Sequence, residues 1–132
     1  MEKLKSITLI LVTLIFAVTT NAENPEDKNK TEVYYFHNTH RCPTCRAIEK
    51  ETRIILREQP FSDAKENGEL IFKSYNVENA SNKKLVKEMG VTGSSLIIVK
   101  NGEKTDLTSK GFMYALNQPE KFRDALRDVL ND

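Results

Sequence analysis

What this sequence lacks narrows its chemistry before any motif is considered. Only two of its 132 residues are cysteine and two are histidine. There is no second cysteine pair, too little sulfur for an iron–sulfur cluster of its own, and none of the His-X3-5-His spacing of structural zinc sites. No glycine-rich phosphate loop and no haem attachment motif occurs, which removes the usual nucleotide- and haem-dependent redox enzymes. An excess of charge is missing too: 20 basic and 19 acidic residues leave a formal net charge of +1, so nucleic acid is not expected as a partner. Lys83, Lys84 and Lys87 cluster, but three cations on one short helix read as a solvated face. No apolar run reaches the roughly 20 residues that cross a bilayer as a helix.

The apolar run from Ile7 to Val18 has 12 residues, with only threonines interrupting it. Lys3 and Lys5 precede it and Thr20-Asn21-Ala22 follows. That pattern predicts a cleavable secretory signal over residues 1–22, hence a periplasmic or secreted protein with no stable membrane insertion after cleavage. No cysteine lies near the cleavage point to carry a lipid anchor. Losing Glu2, Lys3 and Lys5 leaves the remaining chain close to neutral. The lysine- and asparagine-rich composition and simple signal look bacterial. Glu23 to Lys30 has no large apolar residue and reads as a disordered leader, which leaves residues 31–132 for one domain.

What is present is Cys42-Pro43-Thr44-Cys45, directly after an apolar run. If Cys42 precedes a helix and Cys45 falls in its first turn, the sulfurs come within bonding distance and the helix amides favour a thiolate at Cys42. Cys42 is then the attacking nucleophile and Cys45 the resolving thiol. Pro43 suits an early helix position, where its missing N–H costs nothing. A disulfide closing so small a loop constrains the unfolded chain little, so a purely structural role is weakly motivated. His40, Arg41, Pro43 and Thr44 are the candidates for tuning the pair: a protonated His40 beside the sulfur, with Arg41 next to it, would lower the thiol pKa. The plain reading of His40 is a solvated loop residue, and of His37 a packed or solvent-facing strand end. No cofactor is expected beyond the reversible Cys42–Cys45 disulfide. The alternative is metal: His40, Cys42 and Cys45, joined by His37, offer sulfur and nitrogen ligands to zinc or copper.

Along the chain, Thr31 to His37 is dense in large apolar side chains and suits a strand buried on both faces. From Pro43 to about Glu58, Ile48, Ile55 and Leu56 recur at helical spacing with Thr52 on the same face, while Glu49, Lys50, Arg53 and Arg57 fall mostly outside. Gln59-Pro60 marks a stop. A short helix over Ser62 to Asn67, a strand over Leu70 to Val77 and a helix over Asn79 to Met89 that closes on Gly90 follow. Leu96 to Val99 and Glu103 to Leu107 flank Asn101-Gly102, the strongest short hairpin signal. A short helix near Phe112 to Leu116 precedes a last one from Pro119, with Phe122, Leu126, Val129 and Leu130 on one face. The fold class is α/β, in the order β-α-β-α-β-β-α.

That order, with Cys-X-X-Cys between the first strand and helix, resembles the thioredoxin family, as does Gly90-Val91-Thr92-Gly93 leading into Leu96 to Glu103. The resemblance implies a mixed four-stranded sheet flanked by helices and thiol–disulfide exchange with a protein partner. More narrowly, Tyr34-Tyr35-Phe36-His37, Arg41 to Cys45 and Gly93-Ser94-Ser95-Leu96 are similar to small exported bacterial thioredoxin-like proteins known as nitrophenyl-compound nitroreductase subunits. This would make the chain an electron-transfer dithiol serving a membrane electron donor or a nitroreductase subunit. Two departures stand out. The family's proline before the third strand is replaced by Ser94 or Ser95, which would then shape the partner's approach and leave more room for metal. The strand Val33 to His37 also carries no counterpart of the family's buried carboxylate.

Overall fold

The computed structural model describes residues 29–132. The expected signal over residues 1–22, and all but the last two residues of the expected leader, lie outside the described residues. Strand β1 (Thr31–His37) is followed by α1 (Pro43–Ile55), α2 (Phe61–Glu66), β2 (Leu70–Asn76), a 3-10 turn at Ala80–Asn82 and α3 (Lys83–Met89). Then come β3 (Ser95–Lys100), β4 (Glu103–Asp106), α4 (Thr108–Tyr114) and α5 (Pro119–Asn131). The strands form one mixed sheet in the order β2-β1-β3-β4. β1 runs parallel to β2 and antiparallel to β3, and β4 returns antiparallel along β3.

β1 explains the layering. Val33 and Tyr35 point into a core with Ile48, Ile55, Leu96, Ile98, Phe122 and Leu126, which seats α1, α4 and α5 on one face. Tyr34 and Phe36 point the other way, into a cluster with Ile97, Tyr75, Leu85 and Met89 that seats α3. Side chains alternate along a strand, so large residues at consecutive positions demand a cover on both faces. The helix face predicted for α1 is the buried one: Ile48, Ile55, Leu56 and Thr52 are all enclosed. So is the face of α5, with Phe122, Leu126 and Leu130 buried and Val129 packed against them.

Several boundaries move. α1 ends at Ile55 rather than near Glu58, because Arg57 and Glu58 donate back three residues, to Ile54 and Ile55, and wind the chain into turns before Pro60. α3 is preceded by the 3-10 turn and ends on Gly90, whose φ of 71° gives the left-handed cap that glycine tolerates. Asn101 and Gly102 both take positive φ, 53° and 81°, as a tight hairpin turn requires. The helix expected near Phe112 starts four residues earlier, at Thr108. There Asp106 accepts from the Thr108 amide at 2.8 Å, and the Thr108 hydroxyl accepts from the Leu96 amide at 3.0 Å.

Gly111 lets α4 approach α1. A Cβ there would stand 2.9 Å from both Cδ1 and Cγ1 of Ile48, one turn beyond Cys45. Gly111→Val should therefore cost about 1–3 kcal/mol by overpacking. Ile48→Ala should cost about 2–5 kcal/mol by opening a cavity. The double variant should lose less than the sum of the two, since each relieves the other, and urea denaturation of the four proteins measures that coupling.

Candidate active site

The end of β1 delivers the chain into a short loop, and the loop hands it to α1 with Cys42 at the helix N-cap. Cys42 and Cys45 are disulfide-bonded, with Cα atoms 5.0 Å apart. The Cys45 amide, one of the helix's first free N–H groups, donates to Cys42 Sγ at 3.0 Å. Pro43 holds the first helical position and Thr44 the second, while the Cys42 carbonyl accepts the Arg46 amide at 3.1 Å. The two sulfurs differ in access. Cys42 is an exposed residue, whereas Cys45 is only 7% exposed.

Two groups fix the buried partner. The Tyr35 hydroxyl, on a fully enclosed ring, donates to the Cys45 carbonyl at 2.6 Å. Burial pushes the Tyr35 pKa up to about 12, with the Arg41 charge opposing and the Glu49 charge adding. Ser94, in the turn before β3, places its hydroxyl 3.4 Å from Cys45 Sγ. Ser95 sits next to it but faces away, its hydroxyl bonded to the Gly93 carbonyl at 3.1 Å. Of the two serines, only Ser94 has its hydroxyl within hydrogen-bond range of a site sulfur.

Arg41 and His37 are joined to each other rather than to the disulfide. One Arg41 terminal nitrogen lies 2.7 Å from His37 Nε2 and the other binds Glu49. Because guanidinium only donates, the His37 Nε2 lone pair is engaged, and the Nδ1 hydrogen goes to the Asn38 carbonyl at 3.0 Å. His37 stacks on Tyr35, ring centroids 5.8 Å apart, and Arg41 lies over that same tyrosine. His40 is exposed, and it makes no hydrogen bond among the described residues. Those residues bring no three His, Cys, Asp or Glu side chains together as a metal-binding group.

Glu49, placed on the outside of the helix by its spacing, is the hub of this arrangement. Its carboxylate takes Arg41 on one oxygen and, on the other, Arg53 Nη2 at 2.8 Å. Arg53 in turn lies over the Phe72 ring at 4.6 Å. Partial burial would raise the Glu49 pKa, but the Arg53 hydrogen bond and the charges of Arg41 and Arg53 outweigh it and hold the carboxyl below its usual range. Sequence spacing could show the Glu49–Arg53 pair, four residues apart on one helix. It could not show Arg41, which reaches Glu49 only because the loop folds back.

A cysteine pair at the N-terminus of the first helix, beside the central strand of a β2-β1-β3-β4 sheet, settles the architecture. The fold is thioredoxin-like. No protein-family model matches the chain, and no curated protein matches it. Among solved structures, it is similar to a thioredoxin from Thermus thermophilus at 21% identity, over 76% of this chain and 74% of that one, with a TM-score of 0.44. A Fasciola hepatica thioredoxin aligns at 24% identity over 61% of this chain and 68% of that one, TM-score 0.41. Thioredoxin O2 from Arabidopsis thaliana, in an oxidized state, aligns at 16% over 60% and 62%, TM-score 0.42.

The depressed Glu49 pKa has a definite sign. Its contribution to stability is fully present above the unfolded carboxylate value, about 4.3, and is lost as pH falls through the lower folded value. Glu49→Gln should cost about 1–2 kcal/mol at neutral pH, a modest figure because Arg53 is half exposed to solvent. The gap from wild type should close on acidification, as read from urea unfolding at several pH values.

Proposed function

We propose that this chain is a thiol–disulfide oxidoreductase that works through a mixed disulfide on Cys42. The observation that carries the reading is the unequal pair: an exposed cysteine at a helix N-cap, its sulfur receiving a backbone N–H at 3.0 Å, bonded to a buried cysteine. Helix N-termini favour anions, so the Cys42 thiolate is the form this position stabilises.

In the reducing direction, the Cys42 thiolate attacks one sulfur of a partner disulfide. A Cys42–partner bond forms, and the partner's second sulfur leaves as thiolate and takes a proton. Cys45 then loses its proton and attacks Cys42 Sγ, forming the Cys42–Cys45 disulfide and releasing the partner's first sulfur. Two electrons pass from the pair to the partner. The oxidising direction runs the same steps backwards. The Ser94 hydroxyl, within reach of Cys45 Sγ, can donate to the Cys45 thiolate during resolution.

Export through the segment over residues 1–22 belongs to this proposal, supported by the charge and apolar pattern of that segment. So does a role as electron carrier to a system that reduces aromatic nitro compounds, supported by the sequence resemblance. The dithiol would supply electrons there and leave the nitro chemistry to its partner.

Cys42→Ala should abolish exchange with a dithiol substrate. Cys45→Ala should trap a mixed disulfide between Cys42 and the partner, identifiable by mass spectrometry. Variants that exchange like wild type would sink the proposal. The reduction potential gives the direction: roughly −270 mV marks a reductant and roughly −120 mV an oxidant.

A further inference from the structure

Arg46, Lys50, Arg53 and Arg57 follow one another at intervals of four, three and four residues, the spacing of a single stripe along a helix. The stripe begins in the residue after Cys45 and continues past the end of α1 into the following turn. With Arg41 and Glu49 it lines an open groove of about 590 Å³. Five cations face one carboxylate there, in a chain whose formal net charge is only +1.

The arrangement works against the isolated helix. Arg46 and Lys50 are like charges four residues apart on α1, and such a pair destabilises a helix where opposite charges would support it. Glu49 is taken up by Arg41 and Arg53. Arg46 and Arg57 have no carboxylate partner among the described residues, and Lys50 lies 4.0 Å from a Glu51 oxygen, while the other Glu51 oxygen holds Arg123 at 2.8 Å. The groove is also partly rigid. Arg53 is fixed by Glu49 and the Phe72 ring, and Arg41 by Glu49 and His37. Fixed cations lose less freedom when an anion arrives than flexible ones do.

We propose that this groove docks an acidic segment of the protein partner that exchanges disulfides at Cys42. This inference rests on the redox reading above and names the chemistry of its partner. From Arg46 to Arg57 the stripe runs about 16 Å at 1.5 Å per residue, the reach of about five extended residues. A short run of aspartates and glutamates beside the partner's reacting cysteine therefore matches it in charge and length. A polypeptide fits better than a nucleic acid. The groove's cations end at Arg41 and Arg57, and a long polyphosphate would leave most of its charges beyond them.

The test is binding of a fluorescent, cysteine-free peptide of glutamate and serine to the oxidised protein, read by fluorescence anisotropy. A glutamine–serine peptide and a single-stranded DNA of equal charge serve as comparisons. The acidic peptide should bind at least about tenfold more tightly than the neutral one. The preference should collapse between about 0.01 and 0.15 M salt, as the Debye length falls from about 30 to 8 Å. Lys50→Glu with Arg57→Glu should remove it, while exchange with dithiothreitol stays at the wild-type rate. Equal binding of acidic and neutral peptides, a preference that survives the double reversal, or tighter binding of the DNA would each overturn the assignment. Because the peptide has no cysteine, a failure of the redox reading appears separately, as wild-type protein that does not exchange with dithiothreitol.

Discussion

β1 has no solvent face, and most of the molecule follows from that. Its consecutive residues Val33 to Phe36 are all enclosed, so helices must cover both sides of the sheet and the strand must lie at its centre, between β2 and β3. A central strand flanked on both edges can leave the sheet only at its ends. The carboxyl end of β1 is where the loop to α1 emerges, and that places the cysteine pair at the rim, with Cys42 open to solvent yet anchored to the central strand of the sheet.

The same strand reaches into the chemistry through its alternation. Tyr35 and His37 point to the α1 side; one holds the Cys45 carbonyl and the other the Arg41 guanidinium. Arg41 passes the connection to Glu49, and Glu49 to Arg53 and the β2 residue Phe72. The cysteine motif is thus held between the backbone of α1 and a chain of side-chain contacts spanning β1, the loop, α1 and β2. For the exchange proposed at these sulfurs such a supporting layer matters, because small displacements of a reacting atom cost rate.

Much of this was legible in the sequence, for physical reasons that can be named. Large residues in succession marked β1, 3.6-residue periodicity marked the buried faces of α1 and α5, and Gly90 and Asn101-Gly102 marked positive φ. Each is a local signal carried by adjacent residues. The helix of Thr108–Tyr114 was misplaced because its start depends on Thr108 meeting the Leu96 amide, a contact between elements that no local pattern contains. Glu49 was read as an outward residue by the same logic. It does lie on the outer side, but the returning loop turns that side into an interior of charges. Glu51 is buried and paired with Arg123, 72 residues away, and no pattern announces such a pair.

The unequal access of the two sulfurs carries a further consequence. In the exchange proposed above, a partner is captured at Cys42, the exposed residue of the pair, and Cys45 is the internal group placed to release it. A dissolved thiol such as glutathione meets the same asymmetry at the resting disulfide, finding Cys42 open and Cys45 covered. Attack on the resting pair from solution is thereby directed to one side of the S–S bond, whatever thiol makes it.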